Sequence, residues 1–231
     1  MAHRAPVTTA APKHLLLFAL ALIAGVSFWI GRSYFVEGLG WTAWKGSGVA
    51  FLALWAAVNA RDRDGWQIAV ALAFGALGDV LLERSQALGG GAFLAGHVVA
   101  AILYWRHRRA VRSGSRSLLA VALVIGIPII AFLLPADREA APLIGVYALG
   151  LGVMAGSAWA SSFPRYRVGI GAVMFAVSDL LIFAKLGPLA TSPVPGWLIW
   201  PLYFFGQALI VWGVVTTILR WKNDDDLHHR L

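Results

Sequence analysis

Residues 66–105 read WQIAVALAFGALGDVLLERSQALGGGAFLAGHVVAAILYW. Two apolar runs are joined by a short turn that carries charge and glycine. Each run holds one group that hydrocarbon does not accept without cause: Asp79 behind Gly78, and His97 behind Gly96. Residues 168–187, VGIGAVMFAVSDLLIFAKLG, repeat the first device, with Asp179 behind Ser178. Ionisable side chains inside apolar spans are costly and mark function by default. The chain therefore reads as built around its two intramembrane aspartates.

Composition sets the class. Of 231 residues, 59% are hydrophobic and 13% charged, with mean hydropathy +0.74. Soluble domains run nearer 45–50% apolar and about 25% charged. The expected fold is all-α: a polytopic membrane protein with no soluble stretch long enough for a second domain. Eleven Trp and five Tyr suit a bilayer resident, whose interfaces favour those rings. The net charge of +8 sits in short loops between apolar runs, so topology explains it better than a nucleic-acid partner. There is no cysteine, which excludes disulfides, thiol catalysis and Cys-ligated metals.

Eight transmembrane helices are expected, at 15–31, 42–60, 66–83, 91–106, 117–135, 141–161, 167–187 and 196–219. The first is long for a signal peptide, and no small-x-small cleavage pattern follows it. The fourth is short, which suggests little tilt or a start within the preceding Gly-rich turn. Pro128 should kink the fifth, and Gly152 with Gly156 gives the sixth a close-packing face. The expected organisation is a polar tail over 1–13, an eight-helix membrane domain over 14–220 and a polar tail over 221–231. Of the 19 Lys and Arg, only Arg32, Lys45, Arg84, Arg138 and Lys185 fall on one side of this arrangement. The rest gather with the two tails, so both termini are expected in the cytoplasm of a bacterial inner membrane.

Counting at 1.5 Å per residue brings Asp79, Asp179 and His97 to nearly one level in the outer half of a core about 30 Å thick. Tyr147, Tyr203 and Gln207 fall close to that level, and Lys45 nearer the outer surface. A faint repeat is visible. Gly78-Asp79-Val80-Leu81-Leu82 matches Ser178-Asp179-Leu180-Leu181-Ile182, and Phe93-x-x-Gly96-His97 matches Tyr203-x-x-Gly206-Gln207. Spans 1–4 and 5–8 would then form two parallel four-helix repeats.

The bland readings are specific. An intramembrane Asp can be helix glue, and His97 can be a core histidine bonded to a carbonyl. Lys45 can simply snorkel to the interface. Two Asp with one His could ligate a metal, but no second His lies in the spans, so no metal or other cofactor is expected.

The ordered set of residues resembles the YhhN-like membrane proteins, whose characterised members are lysoplasmalogenases. The residues that carry the resemblance are Lys45, the LGDVLL of 77–82, Phe93, His97, Val146-Tyr147, Met154, Gly171-Ala172 through Phe175 to Ser178-Asp179, Tyr203 and Gly206-Gln207. Gly46 stands where the family often has proline, and Ala100 where it often has an aromatic ring. The resemblance implies eight helices and hydrolysis of the vinyl ether bond of a lysophospholipid, within membrane lipid. The products would be a fatty aldehyde and a glycerophospho-base. Asp79 and Asp179 would share the roles of catalytic acid and base, in either order, with His97 carrying a proton or placing water. Lys45, Tyr147, Tyr203 and Gln207 would hold substrate. Vinyl ether cleavage needs a proton donor, a nearby negative charge and a placed water, and two carboxyls of opposite protonation supply the first two. A proton-coupled transporter or lipid flippase would use a midplane carboxyl pair equally well. A purely structural membrane protein is a third reading.

Overall fold

A computed structural model describes residues 12–34, 38–109 and 114–228. Eight α-helices are present among the described residues, and no strand: α1 Leu15–Gly31, α2 Leu39–Asn59, α3 Arg63–Leu82, α4 Gln86–Arg106, α5 Gly114–Leu133, α6 Ala141–Ala160, α7 Ile170–Lys185 and α8 Val194–His228. A π-helical turn, Arg165–Gly169, leads into α7. The fold is all-α, and among the described residues five helices are long and apolar enough to cross a membrane. These are α3, α4, α6, the π-turn with α7, and α8. The apolar parts of α1 and α5 are shorter. At 21 residues α2 has the length, but Thr42, Lys45, Ser47 and Asn59 dilute its hydropathy.

Two boundaries differ from the sequence expectation for physical reasons. The fourth span is not short but starts within the Gly-rich turn, the second of the two readings. It begins at Gln86 because Ser85 caps it, the hydroxyl accepting from Leu88 N, and the Gly89–Gly91 run is helical. Gly89 is required there, since a Cβ would collide with Leu82. The last helix does not end near 219: α8 continues through Trp221 to His228, so most of the expected C-terminal tail is helix. The expected N-terminal tail lies largely outside the described residues. Pro128 lies within a continuous α5. The Gly152 and Gly156 pair does pack closely: Cβ atoms there would stand 3.1 Å from Val124 O and 2.7 Å from Ala120 O.

The helices alternate between two ends. At one, Asn59 accepts from Lys13 N and donates to Lys13 O, tying the start of α1 to the end of α2. There Asp62 caps α3 through Gly65 N at 2.9 Å and pairs with Lys222 of α8 at 3.6 Å. Arg106 and His107 close on Asp64 at the same end. The first and last helices thus begin and finish at this basic end. At the opposite end Arg32 donates to Gly196 O, and Ala136 N donates to Leu186 O at 3.0 Å.

Helices adjacent in the chain pack together, except that among the described residues α4 packs on α6 and not on α5; α5 also touches α7, and α8 meets α1, α2 and α3. Two crossings are unusually close. A Cβ on Gly96 of α4 would lie 3.0 Å from Ala71 O of α3, and one on Gly206 of α8 would lie 2.8 Å from Gly171 O of α7. Those crossings press α4 onto α3 and α8 onto α7 just where the polar side chains emerge.

Candidate functional site

Asp79 of α3, His97 of α4, Asp179 of α7 and Tyr203 and Gln207 of α8 are all buried, between 2% and 8% exposed. Tyr147 of α6 is half-buried. Small residues admit them. A Cβ on Gly78 would strike the Phe93 ring, and one on Gly75 would come within 3.3 Å of Gln207 Nε2 and 3.6 Å of Tyr203 Oη. Packing against α3 would therefore push apart α4 and α8 if either glycine were larger.

Each carboxylate is met by one phenol. Tyr203 donates to Asp79 Oδ2 at 2.8 Å. Tyr147 donates to Asp179 Oδ2 at 2.5 Å, and the same phenol oxygen lies 3.1 Å from His97 Nε2. A tyrosine has a single hydroxyl proton. With that proton on the Asp179 bond, the oxygen must accept from His97, so His97 carries its hydrogen on Nε2 and leaves Nδ1 as an acceptor. The row His97–Tyr147–Asp179 can also reverse: a proton on Asp179 donates to the phenol, and the phenol donates to the imidazole. It is a chain through which one proton can shift without any side chain moving far.

An aromatic layer links the two carboxyl clusters. Phe175 stands edge-on to both His97 and Tyr203, each at 5.1 Å between ring centroids. Phe93 stands edge-on to Tyr203 at 5.7 Å. Apolar walls beside paired carboxyls exclude bulk water and strengthen each interaction inside.

Lys45 lies within reach of Asp79, but its ammonium is already paired with Glu83 Oε1 at 2.5 Å. Glu83, one turn beyond Asp79 at the end of the same helix, is therefore the partner of the lysine expected to hold substrate. A cavity of about 30 Å³ lies beneath the cluster, lined by Gly75, Phe93, His97 and Gln207 and reaching down α4 past Ala100 to Tyr104. Asp79, Asp179 and Tyr147 do not line it. Of the groups brought to one depth by the sequence, only His97 and Gln207 line this cavity. Two of them face a small chamber, and the carboxyls connect to the cluster through phenol hydroxyls and rings. Among the described residues, no three of His, Cys, Asp and Glu stand together as a metal site.

Two contributions were not read from the sequence: the role of Ser178, which the sequence presents only as the neighbour of Asp179, and Tyr104. Ser178 donates to Ile199 O at 2.9 Å and fastens α7 to α8 one residue before Asp179. Tyr104 is fully buried and lies two turns beyond His97 on the same face of α4. That seven-residue spacing was the available signal.

The model of the YhhN family matches residues 41–214. The matched segment runs from α2 into α8 and so contains every group described above. No curated protein and no solved structure matches the chain.

Proposed function

Because the chain belongs to the YhhN family, we propose that it is an intramembrane hydrolase cleaving the vinyl ether bond of a lysophospholipid, as the resemblance implies. The observation that carries the reading is the pair of buried aspartates, each hydrogen-bonded to its own phenol and one backed by an imidazole. Asp79 acts as the acid. Its proton goes to the β-carbon of the vinyl ether, the C=C π electrons form the new C–H bond, and an oxocarbenium ion results. Asp179, as carboxylate, stabilises that cation from the other cluster.

Water then bonds to the oxygen-bearing carbon. Its proton passes to His97 Nδ1, the Nε2 proton to Tyr147 and the phenol proton to Asp179. The hemiacetal collapses as its hydroxyl proton returns to Asp79. Asp179 gives up its proton through the same row to the departing glycerol oxygen. One water is consumed, aldehyde and alcohol are released, and both carboxyls regain their starting states. The chemistry needs no redox partner.

Lys45 is the candidate for the lipid phosphate, exchanging Glu83 for the head group. The same reading takes the bundle as two parallel four-helix repeats, with both termini in the cytoplasm. The close α3–α4 crossing at 71 and 96 and the α7–α8 crossing at 171 and 206 support it. Their positions differ by the 100 and 110 residues that separate the sequence matches. Such repeats also suit a carrier, which gives the alternative of proton-coupled lipid transport.

The test is aldehyde release from purified protein in detergent, where no gradient exists. Hydrolysis proceeds there, and transport leaves no product. Absence of aldehyde from wild-type protein on vinyl ether lysolipids of varied head group would overturn the assignment.

A further inference from the structure

The reaction above needs one water per turnover at a place walled by aromatic rings and helices. Neither carboxyl lines the cavity beneath the cluster, but His97 and Gln207 do. That cavity extends away from the carboxyls, toward the basic end, along Ala71 and Ile68 of α3 and Ala100 of α4 to Tyr104. At the far end the Tyr104 ring is 0% exposed, and its hydroxyl has no hydrogen-bond partner among the described residues. A buried hydroxyl left so is costly and is rare in folded proteins unless water meets it. An ordered water requires roughly 10–15 Å³ and two to four polar partners. The cavity offers about 30 Å³ with imidazole, carboxamide and phenol along its length, enough for about two waters.

Resting on the reading above, we infer that this cavity is the chamber from which the hydrolytic water is drawn, and that Tyr104 is a positioning residue for it. The phenol holds the lower water, which donates to or accepts from an upper one held by Gln207 and by His97 Nδ1. The upper water is the one whose oxygen bonds the oxocarbenium carbon while its proton passes to Nδ1, and so by way of Tyr147 to Asp179. The lower water then moves up, and one from the basic end replaces it. Ala100 is the small side chain that leaves the space open.

Hydration and catalysis can be read separately. The chain has three methionines, of which Met154 lines the chamber and Met174 does not. Protein carrying ¹³C-methyl methionine, in lipid nanodiscs, should show water-to-methyl cross-relaxation at Met154. It should be lost in Ala100→Leu, which fills the chamber. Tyr104→Phe removes one hydroxyl and no volume. It should lower kcat by about tenfold, the scale of one lost hydrogen bond, with KM unchanged because lipid does not enter the chamber.

A purely structural tyrosine predicts the reverse: removal of an unsatisfied hydroxyl raises Tm and leaves kcat alone. That result overturns the proposal, as does absence of water contact at Met154, or full activity in Ala100→Leu. Should the wild type release no aldehyde at all, the hydrolase reading fails, and the role of Tyr104 in supplying its water falls with it. The Met154 signal would then still report whether the chamber is wet.

Discussion

Tyr147→Phe is the sharpest single perturbation of the proposed relay. It removes one oxygen, the only atom joining His97 to Asp179. Hydrogen bonds to charged groups contribute about 1.5–3 kcal/mol, and each 1.4 kcal/mol is a factor of ten in rate. Losing the bond to Asp179 and the path it completes should reduce kcat by roughly 10–100-fold. His97, 4% exposed, would keep a buried Nε2–H without its acceptor, at a cost of about 1–3 kcal/mol in stability. The assay is aldehyde release under saturating lysolipid, with thermal unfolding in the same detergent to confirm a folded variant. Groups that act as a unit do not lose activity additively. Tyr147→Phe combined with Asp179→Asn should therefore be no slower than Asp179→Asn alone. A double variant whose loss is the product of the two single losses would refute the relay, since the phenol and the carboxylate would then be acting independently.

Other consequences follow from the same geometry. Gly171→Ala places a Cβ about 2.6 Å from Gly206 O and should destabilise by roughly 1–3 kcal/mol. Gly91→Ala, in open space within α4, should be neutral or stabilise by up to about 1 kcal/mol; thermal unfolding compares them. Lys45→Ala should raise KM more than it lowers kcat, the mark of lost uniform binding, whereas Glu83→Gln, which frees the lysine, should not raise KM. With no native cysteine, single cysteines report topology cleanly. Ser113, the natural choice in the arginine-rich loop, lies outside the described residues, so Ser162 at the same end serves. Cysteines at Ser162 and Ser192 should label from opposite sides of the membrane, and labelling from one side would end the topological account.

Much of this arrangement is legible in one dimension because the bilayer makes it so. Apolar runs of fixed length set the helices, and depth along each run is a count of residues. Asp79, His97, Asp179 and Tyr203 could be brought to one level from that count alone. What the count cannot give is azimuth. Nothing local says that Tyr147 turns toward Asp179 while Tyr203 turns toward Asp79, or that Glu83 takes Lys45. These depend on helices distant in sequence. The α4 start is open to two readings in the sequence because three glycines suggest a turn; the Ser85 cap and the tight contact of Gly89 on Leu82 make them helical. The end of α8 was misread because charge ends a span without ending a helix. Tyr104 was passed over because a tyrosine near an interface is ordinary, and only the fold shows it fully buried with its hydroxyl unmet.

The central claim is that Asp79 and Asp179 together perform acid and base chemistry on a vinyl ether. Its most direct measurement is fatty aldehyde release by folded, detergent-solubilised Asp79→Asn, Asp179→Asn and the double variant, beside wild type. The account predicts aldehyde from wild type, and a loss of about 10²-fold or more in each single variant. The double variant should be little worse than either single one, because the pair works as a unit. Near wild-type turnover in either single variant would contradict it.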